Sequence, residues 1–362
     1  MAEPQVDTPA DPPHGTAVGT SSPGRGRVGG RHRVPEYPTP PGSSVTAATT
    51  RRRVPIWVFI APSMIVLAVI ILYPLGRAVW MSLHGDAKTL DPETGRFVTG
   101  GFTGIENYTR WLTQTCGTAT GTIPCPPGTL GSQFWQSIFN TFFFTVVTVS
   151  LETIVGFTMA LVMAKSFRGR GLLRASVLIP WAIPTAVTAK LWFFIFANDG
   201  IANKLLGTNY LWTADPWPAR FAIIVADVWK TAPFMALLVL AGLQMIPSDV
   251  YEAAKVDGAN AWQRFTQITL PLVKPALMVA ILFRTMDALR MYDLPAIMMG
   301  SNPATSTISV LVVDQMRQGA NSASALSTIT FLIIFGVAFV LVRFLGANAV
   351  STQEKQRKGD VA

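Results

Sequence analysis

The sequence predicts an all-α membrane protein with six transmembrane helices behind a disordered cytoplasmic N-terminal tail. Three observations carry that expectation: apolar runs of spanning length, a scarcity of charge, and a lopsided distribution of basic residues. Half of the 362 residues are hydrophobic and 14% are charged, against about 25% in a typical soluble domain. The apolar residues gather near 54–80, 134–164, 173–197, 219–246, 275–299 and 323–346. Runs of about 20 residues cross a hydrocarbon layer of roughly 30 Å. Lipid offers no hydrogen-bond partner, so these segments must satisfy their backbone internally, as helices.

Orientation follows from Lys and Arg. With the N-terminus inside, 18 of them fall in inner segments and six in outer ones. That bias puts both termini in the cytoplasm. The net charge of +9 therefore reflects topology, and no nucleic-acid partner is expected. Residues 1–53 are rich in Pro, Gly, Ser, Thr and Arg. They cannot bury a core and read as a disordered tail. Its Arg clusters suit a solvated topogenic segment first, and contact with anionic lipid headgroups second. The first apolar run is too long for a signal-peptide core, so it reads as a span.

The first helix is expected over 54–83, with Pro74 kinking or ending it. An extracytoplasmic loop follows over 84–133. Within it, Phe102–Tyr108 with Trp111 and Leu112 suggests a short amphipathic helix on the outer face. Cys116 and Cys125 are the only cysteines, separated by eight residues that include Gly117, Gly121 and Pro124. An oxidising exterior would favour a disulfide between them; two free thiols are the alternative. No histidine has metal-ligand spacing to them, and no metal site is expected. The core is expected over 134–346, with a cytoplasmic tail over 347–362. Its third span carries Pro180 and Pro184, which should bend it. Trp212 and Trp217 suit a membrane interface.

Residues 247–275 are too polar to span lipid. Ser248 or Asp249 can cap a helix, with Glu252 completing a capping box. Ala253 and Ala254 keep that helix narrow, and Gly258 suits a left-handed C-terminal turn. Trp262, Phe265 and Ile268 form an apolar stripe, and Pro271 and Pro275 mark the break into span five. Such a block is made for docking onto a soluble partner.

Glu252-Ala253-Ala254, Asp257-Gly258, Ile268 and Leu270-Pro271 closely resemble the coupling loop of binding-protein-dependent permeases of ATP-binding-cassette (ABC) importers. The resemblance runs over roughly residues 55–346. It takes in Asn107-Tyr108, Asn140-Thr141, Ile179-Pro180, Trp229 with Pro233-Phe234, and Gly242–Pro247. It is similar to the carbohydrate branch, in the larger of the two permease types of maltose-class importers. Leu282–Asp293 is similar to permeases of trehalose importers. Met299–Pro303 departs from the Gly-rich, Pro-ended segment often found there. The resemblance implies the type I ABC importer permease fold and a sugar path shared with a second permease. It also implies two ABC ATPase subunits below and an extracytoplasmic sugar-binding protein above. The sugar would be a disaccharide such as trehalose or maltose. The chain shows no G-x-x-x-x-G-K-[ST] phosphate loop, so it is expected to be no enzyme and to hold no cofactor. ATP and Mg would sit on the partners, whose closure would push the coupling helix and give alternating access.

Charges within the spans need partners, since a lone one at mid-bilayer costs about 2.5–3.5 kcal/mol. Arg284, Asp287 and Arg290 share a face of span five, and Asp227 and Lys230 repeat that spacing in span four. Glu152 and Lys190 could pair across spans. Ion pairing within the protein is the first reading of these charges, and substrate contact the second. A sugar path needs hydroxyl-binding groups and aromatic faces: Asn140, Thr141, Glu152, Trp229, Lys230, Thr285, Asp287 and Tyr292 are the candidates. Within the resemblance, glycerol phosphate, an amino acid or a peptide are alternative solutes. An ion-coupled secondary transporter could relay through Glu152, Asp227 and Asp287, but leaves the coupling block unexplained and expects repeated halves. A membrane enzyme would need paired catalytic carboxylates or a metal cluster at a membrane face, and the sequence shows neither.

Overall fold

A computed structural model describes residues 56–86, 89–90, 97–98, 100–118, 121–300 and 302–359. The expected tail over 1–53 and its lipid-facing Arg clusters lie outside them. Helix α1 covers Trp57–Ser82. Its π-helical turn at Ala68–Leu72 stands directly before Pro74. The wider turn accommodates the missing N–H and the bulk of the ring, so the helix continues where an ending was expected. Beyond it come the two-residue strands β1 (Thr89–Leu90) and β2 (Phe97–Val98), paired antiparallel. Helix α2 (Glu106–Thr113) leads into the hairpin of β3 (Thr115–Thr118) and β4 (Gly121–Pro124). A disulfide joins Cys116 to Cys125 across that hairpin, with Cα atoms 4.9 Å apart.

Helix α3 runs Leu130–Ala164. The expected third span is two helices, α4 (Arg170–Ala182) and α5 (Thr185–Ile195), meeting at 91°. Pro180 is carried inside α4, whereas Pro184 starts α5, so the break falls at the second proline. Short α6 (Ile201–Leu206) precedes α7 (Pro216–Gln244). After α8 (Ser248–Val256), helix α9 runs Ala261–Ala288. The fifth span thus begins well before residue 275 and stops short of 299. Its start is set by an Asn260–Gln263 capping box, and a π-turn at Phe265–Thr269 absorbs Pro271. Helices α10 (Asp293–Met299) and α11 (Ile308–Met316) lead to α12 (Ala320–Gly359), which extends past the expected end of the sixth span. Among the described residues, five helices and the bent pair reach spanning length and apolarity.

The broadest helix pair is α3 against α7. Gly156 makes it possible: a Cβ there would stand 2.6 Å from the Met235 Cβ. Gly242 does the same for α7 against α9, where Ala276 approaches. Small residues let helices close in without a hydrophobic driving force between them. Three apolar clusters follow along the bundle. Trp111, Phe134, Leu311 and Leu326 fill one end, Phe144, Ile223, Leu294 and Met298 the middle, and Met163, Val239 and Val273 the other end. Trp212 belongs to the middle cluster, its indole N–H donating to Asn203 Oδ1 at 2.7 Å. It is therefore a core residue and not an interface anchor. At the first end, Asp86 accepts from the Asn321 backbone N–H at 2.7 Å and caps α12. The Asn107 amide donates to the Ser82 and His84 carbonyls, each at 2.8 Å. Helix α2 is thereby pinned to the end of α1.

Candidate coupling surface and intramembrane cavity

Helix α8 starts at Pro247 with no side-chain cap. The expected Ser248–Asp249–Glu252 cap does not form; Ser248 Oγ instead faces Asp249 Oδ1 at 3.3 Å. Its other end is a complete Schellman motif. Gly258 sits at φ +78°, Gly258 N–H donates to Lys255 O and Ala259 N–H to Ala254 O. Glu252, Ala253, Asp257 and Gly258 are exposed and Ala254 is half-buried. The turn is braced on α9 by Tyr251 and Thr269 hydroxyls 3.0 Å apart and by Arg264 Nη1 donating to Ala259 O. Phe265 packs edge-on against Phe157 of α3. Ile268, Leu270 and Pro271 belong to α9 itself. Val256 (88% exposed) and Trp262 (70%) leave large apolar side chains uncovered beside this polar helix.

Midway along the bundle, Arg284 of α9 is 2% exposed and meets three carboxylates. Its Nε and Nη2 donate to the two oxygens of Glu152 on α3, at 2.5 and 2.9 Å. Nη2 also pairs with Asp227 of α7. Nη1 reaches Asp287, one turn along α9, at 3.1 Å. Thr231 Oγ1 completes the shell by donating to Glu152 at 2.5 Å. The expected Arg284–Asp287 pair is present, while three other expected pairs are replaced. Lys230 does not pair with Asp227; its ammonium donates to the Ile183 carbonyl at 2.7 Å. That carbonyl is left open by the α4–α5 break, so the lysine satisfies a backbone group helix geometry abandoned. Lys190 does not reach Glu152 and lies 5.5 Å over the Phe193 ring. Arg290, just past the end of α9, makes no ion pair among the described residues and donates back to the Met286 carbonyl of that helix.

Two cavities open beside Arg284. The smaller, about 120 Å³, holds Thr185, Lys230, Asp287, Arg290, Tyr292 and Asp293. The larger, about 290 Å³, adds Trp181, Phe234 and Phe283, with Trp181 and Phe234 stacked at 5.9 Å. Asp287 is 68% exposed and faces both. Among the other path candidates, Asn140 is fully buried and committed elsewhere. Its amide donates to Pro303 O and Ser306 O, and its oxygen accepts from Gln136 and Arg220. The Thr141 hydroxyl accepts from Ile308 N–H. Both residues hold the 303–308 loop. Glu152 is sealed inside the ion cluster. Trp229 stands edge-on to Trp192 and lines a separate, apolar cavity of about 430 Å³. Thr285 donates to Ile281 O on its own helix.

The sequence reading missed Trp181, Phe283, Asp293 and Arg220. Arg220 is buried with its guanidinium 5.0 Å over the Trp217 ring. Trp217 stands three residues earlier on the same helix, but the Asn140 oxygen that Arg220 donates to is 80 residues away. Trp181 had a signal, an aromatic between the two prolines of a broken span.

This arrangement of bent and straight spans with a protruding short helix is the type I ABC importer permease fold. A crystal structure of a bacterial ABC transporter involved in the import of the acidic polysaccharide alginate matches it with a TM-score of 0.62. That match covers 82% of this chain and 95% of that one at 20% identity. Residues 152–350 match the family described as "Binding-protein-dependent transport system inner membrane component", and the chain belongs to that family. It is a multi-span inner-membrane transport subunit. The trehalose/maltose transport system permease protein MalF of Thermococcus litoralis is 41% identical over 295 residues, covering 79% of this chain and 92% of that protein. The trehalose transport system permease protein SugA of Mycobacterium tuberculosis is 33% identical over 296 residues, covering 81% and 89%.

Proposed function

We propose that this chain forms, with a second permease, the path of an ATP-driven importer for an uncharged disaccharide of the trehalose or maltose type. An extracytoplasmic binding protein delivers the sugar, two ABC ATPase subunits grip α8, and both termini face the cytoplasm. The observation that carries this reading is the exposed α8 with its glycine-dependent turn and uncovered Val256 and Trp262. A polar helix bearing bare apolar side chains fits a groove on a soluble motor better than it fits lipid. Its anchorage on α9 offers a direct mechanical route to the cavity, since α9 is one helix from Ala261 to Ala288.

The cavity supports a sugar as cargo. Trp181, Phe234 and Phe283 supply rings for the apolar face of a pyranose, and Asp287, Arg290, Tyr292 and Asp293 supply hydroxyl partners. Three acids, Asp227, Asp287 and Asp293, stand against Lys230, Arg284 and Arg290 there, which suits a neutral solute better than a phosphate-bearing one. A pocket of about 300 Å³ is at the low end for small-molecule sites, as expected if a second permease supplies the facing wall. The test is uptake of radiolabelled trehalose and maltose into proteoliposomes holding the full complex, ATP and binding protein. Gly258→Asp should abolish uptake while the chain still inserts and assembles. Wild-type uptake in that variant would remove the coupling role, and uptake of neither sugar by the parent complex would remove the disaccharide.

A further inference from the structure

Arg284 has more acid around it than charge balance requires. Glu152 is fully buried and Asp227 nearly so. Two carboxyl groups therefore already face one guanidinium, on its Nε and Nη2. A third carboxylate, Asp287, is the exposed member of the set and lines both cavities, which Arg284 also borders from its buried position. The guanidinium divides its nitrogens accordingly. Nε and Nη2 are spent on Glu152 and Asp227 from α3 and α7, and Nη1 is left for Asp287. The fork is rigid and planar, so anchoring two nitrogens on buried partners fixes where the third points. The i, i+3 spacing on α9 then sets the carboxylate on the wall the two cavities share, which Thr231 and Arg290 also line.

Resting on the sugar reading of the cavity, we infer that Arg284 is a positioning residue, held by Glu152 and Asp227, that aims Asp287 as the acceptor for one particular sugar hydroxyl. The second oxygen of Asp287 stays open to that hydroxyl while the first is held. Specificity for a hydroxyl pattern thus originates in three helices, through an arginine anchored on the buried acids of two of them. A lysine at 284 would keep the charge but present it as a point, without the planar fork that fixes the direction of each contact. Glu152→Gln would loosen the anchor while Asp227 still neutralises the arginine.

The test is discrimination between maltose or trehalose and each of their monodeoxy derivatives, measured as uptake ratios in proteoliposomes of the full complex. The binding protein is the same throughout, so its own preference cancels between variants. The parent complex should disfavour at least one monodeoxy sugar. That preference should fall by about tenfold in Asp287→Asn and Arg284→Lys, the scale of one hydrogen bond to a charged group. In Glu152→Gln it should fall by about threefold, which keeps the inference testable should Arg284→Lys fail to assemble. Loss of discrimination in Asp287→Asn alone, with Glu152→Gln and Arg284→Lys unchanged, would overturn the positioning role and leave the sugar-binding cavity standing. Parent-like discrimination in all variants would overturn Asp287 as an acceptor. Failure of the parent to carry either sugar would overturn the sugar reading and this inference with it.

Discussion

At the residue scale, the molecule turns on a few side chains whose partners lie far away along the chain. Arg284 and Glu152 are separated by 132 residues, and neither has a local sequence cue pointing to the other. Arg284→Gln would leave Glu152 and Asp227 buried without a counter-charge, at a cost of about 3–5 kcal/mol. The expected outcome is a large drop in the thermal unfolding temperature of the detergent-solubilised complex. Adding Glu152→Gln should recover part of it, because the second change removes one of the stranded charges. Equal instability of single and double variants would show that the two residues do not act as a pair. Gly258 is the opposite case. Its left-handed backbone was legible from sequence, since a glycine closing a short alanine-containing helix has few other uses. The lysine at 230 was read as an ion-pair partner because i, i+3 spacing on a helix is visible locally. The carbonyl it serves exists only because another helix breaks.

Elements show the same division. Apolar runs announced the spans, yet π-turns at Ala68–Leu72 and Phe265–Thr269 decided that prolines would be absorbed instead of ending helices. The α4–α5 break is the element on which Lys230 acts. Lys230→Met would leave the Ile183 carbonyl without its partner, so amides at the start of α5 should exchange with deuterium about tenfold faster, the scale of one lost hydrogen bond. Unchanged exchange there would show that the bend is held by packing alone. The capping box predicted for α8 formed instead at α9, through Asn260 and Gln263. Both sites carry suitable residues, and proline at the start of α8 favours a cap without a side chain. Local chemistry offered two candidates, and chain geometry took one.

For the whole molecule, the bias of basic residues and the exposed α8 make one prediction together. A cysteine at Val256, which is fully outside the packed bundle, should react with a membrane-impermeant maleimide in inverted membrane vesicles. It should not react in right-side-out vesicles. The native Cys116 and Cys125 are joined to each other, so the background should be low without reductant. The reverse pattern of labelling would place the coupling helix on the outer side and end the proposed mechanism. Adding purified ATPase subunit should protect the site, as the uncovered Val256 and Trp262 side chains require.

By itself the sequence determined the all-helical class, the apolar runs of spanning length, and the family to which the fold belongs. Those properties depend on composition over about 20 residues or on a short motif, and each is complete within its own stretch of chain. Tertiary structure alone decided which charges meet, which polar residues hold loops, and where the cavity opens. Burial makes an unpaired charge or carbonyl costly, and the partner that relieves it is whichever group the packing of α3, α7 and α9 brings within reach.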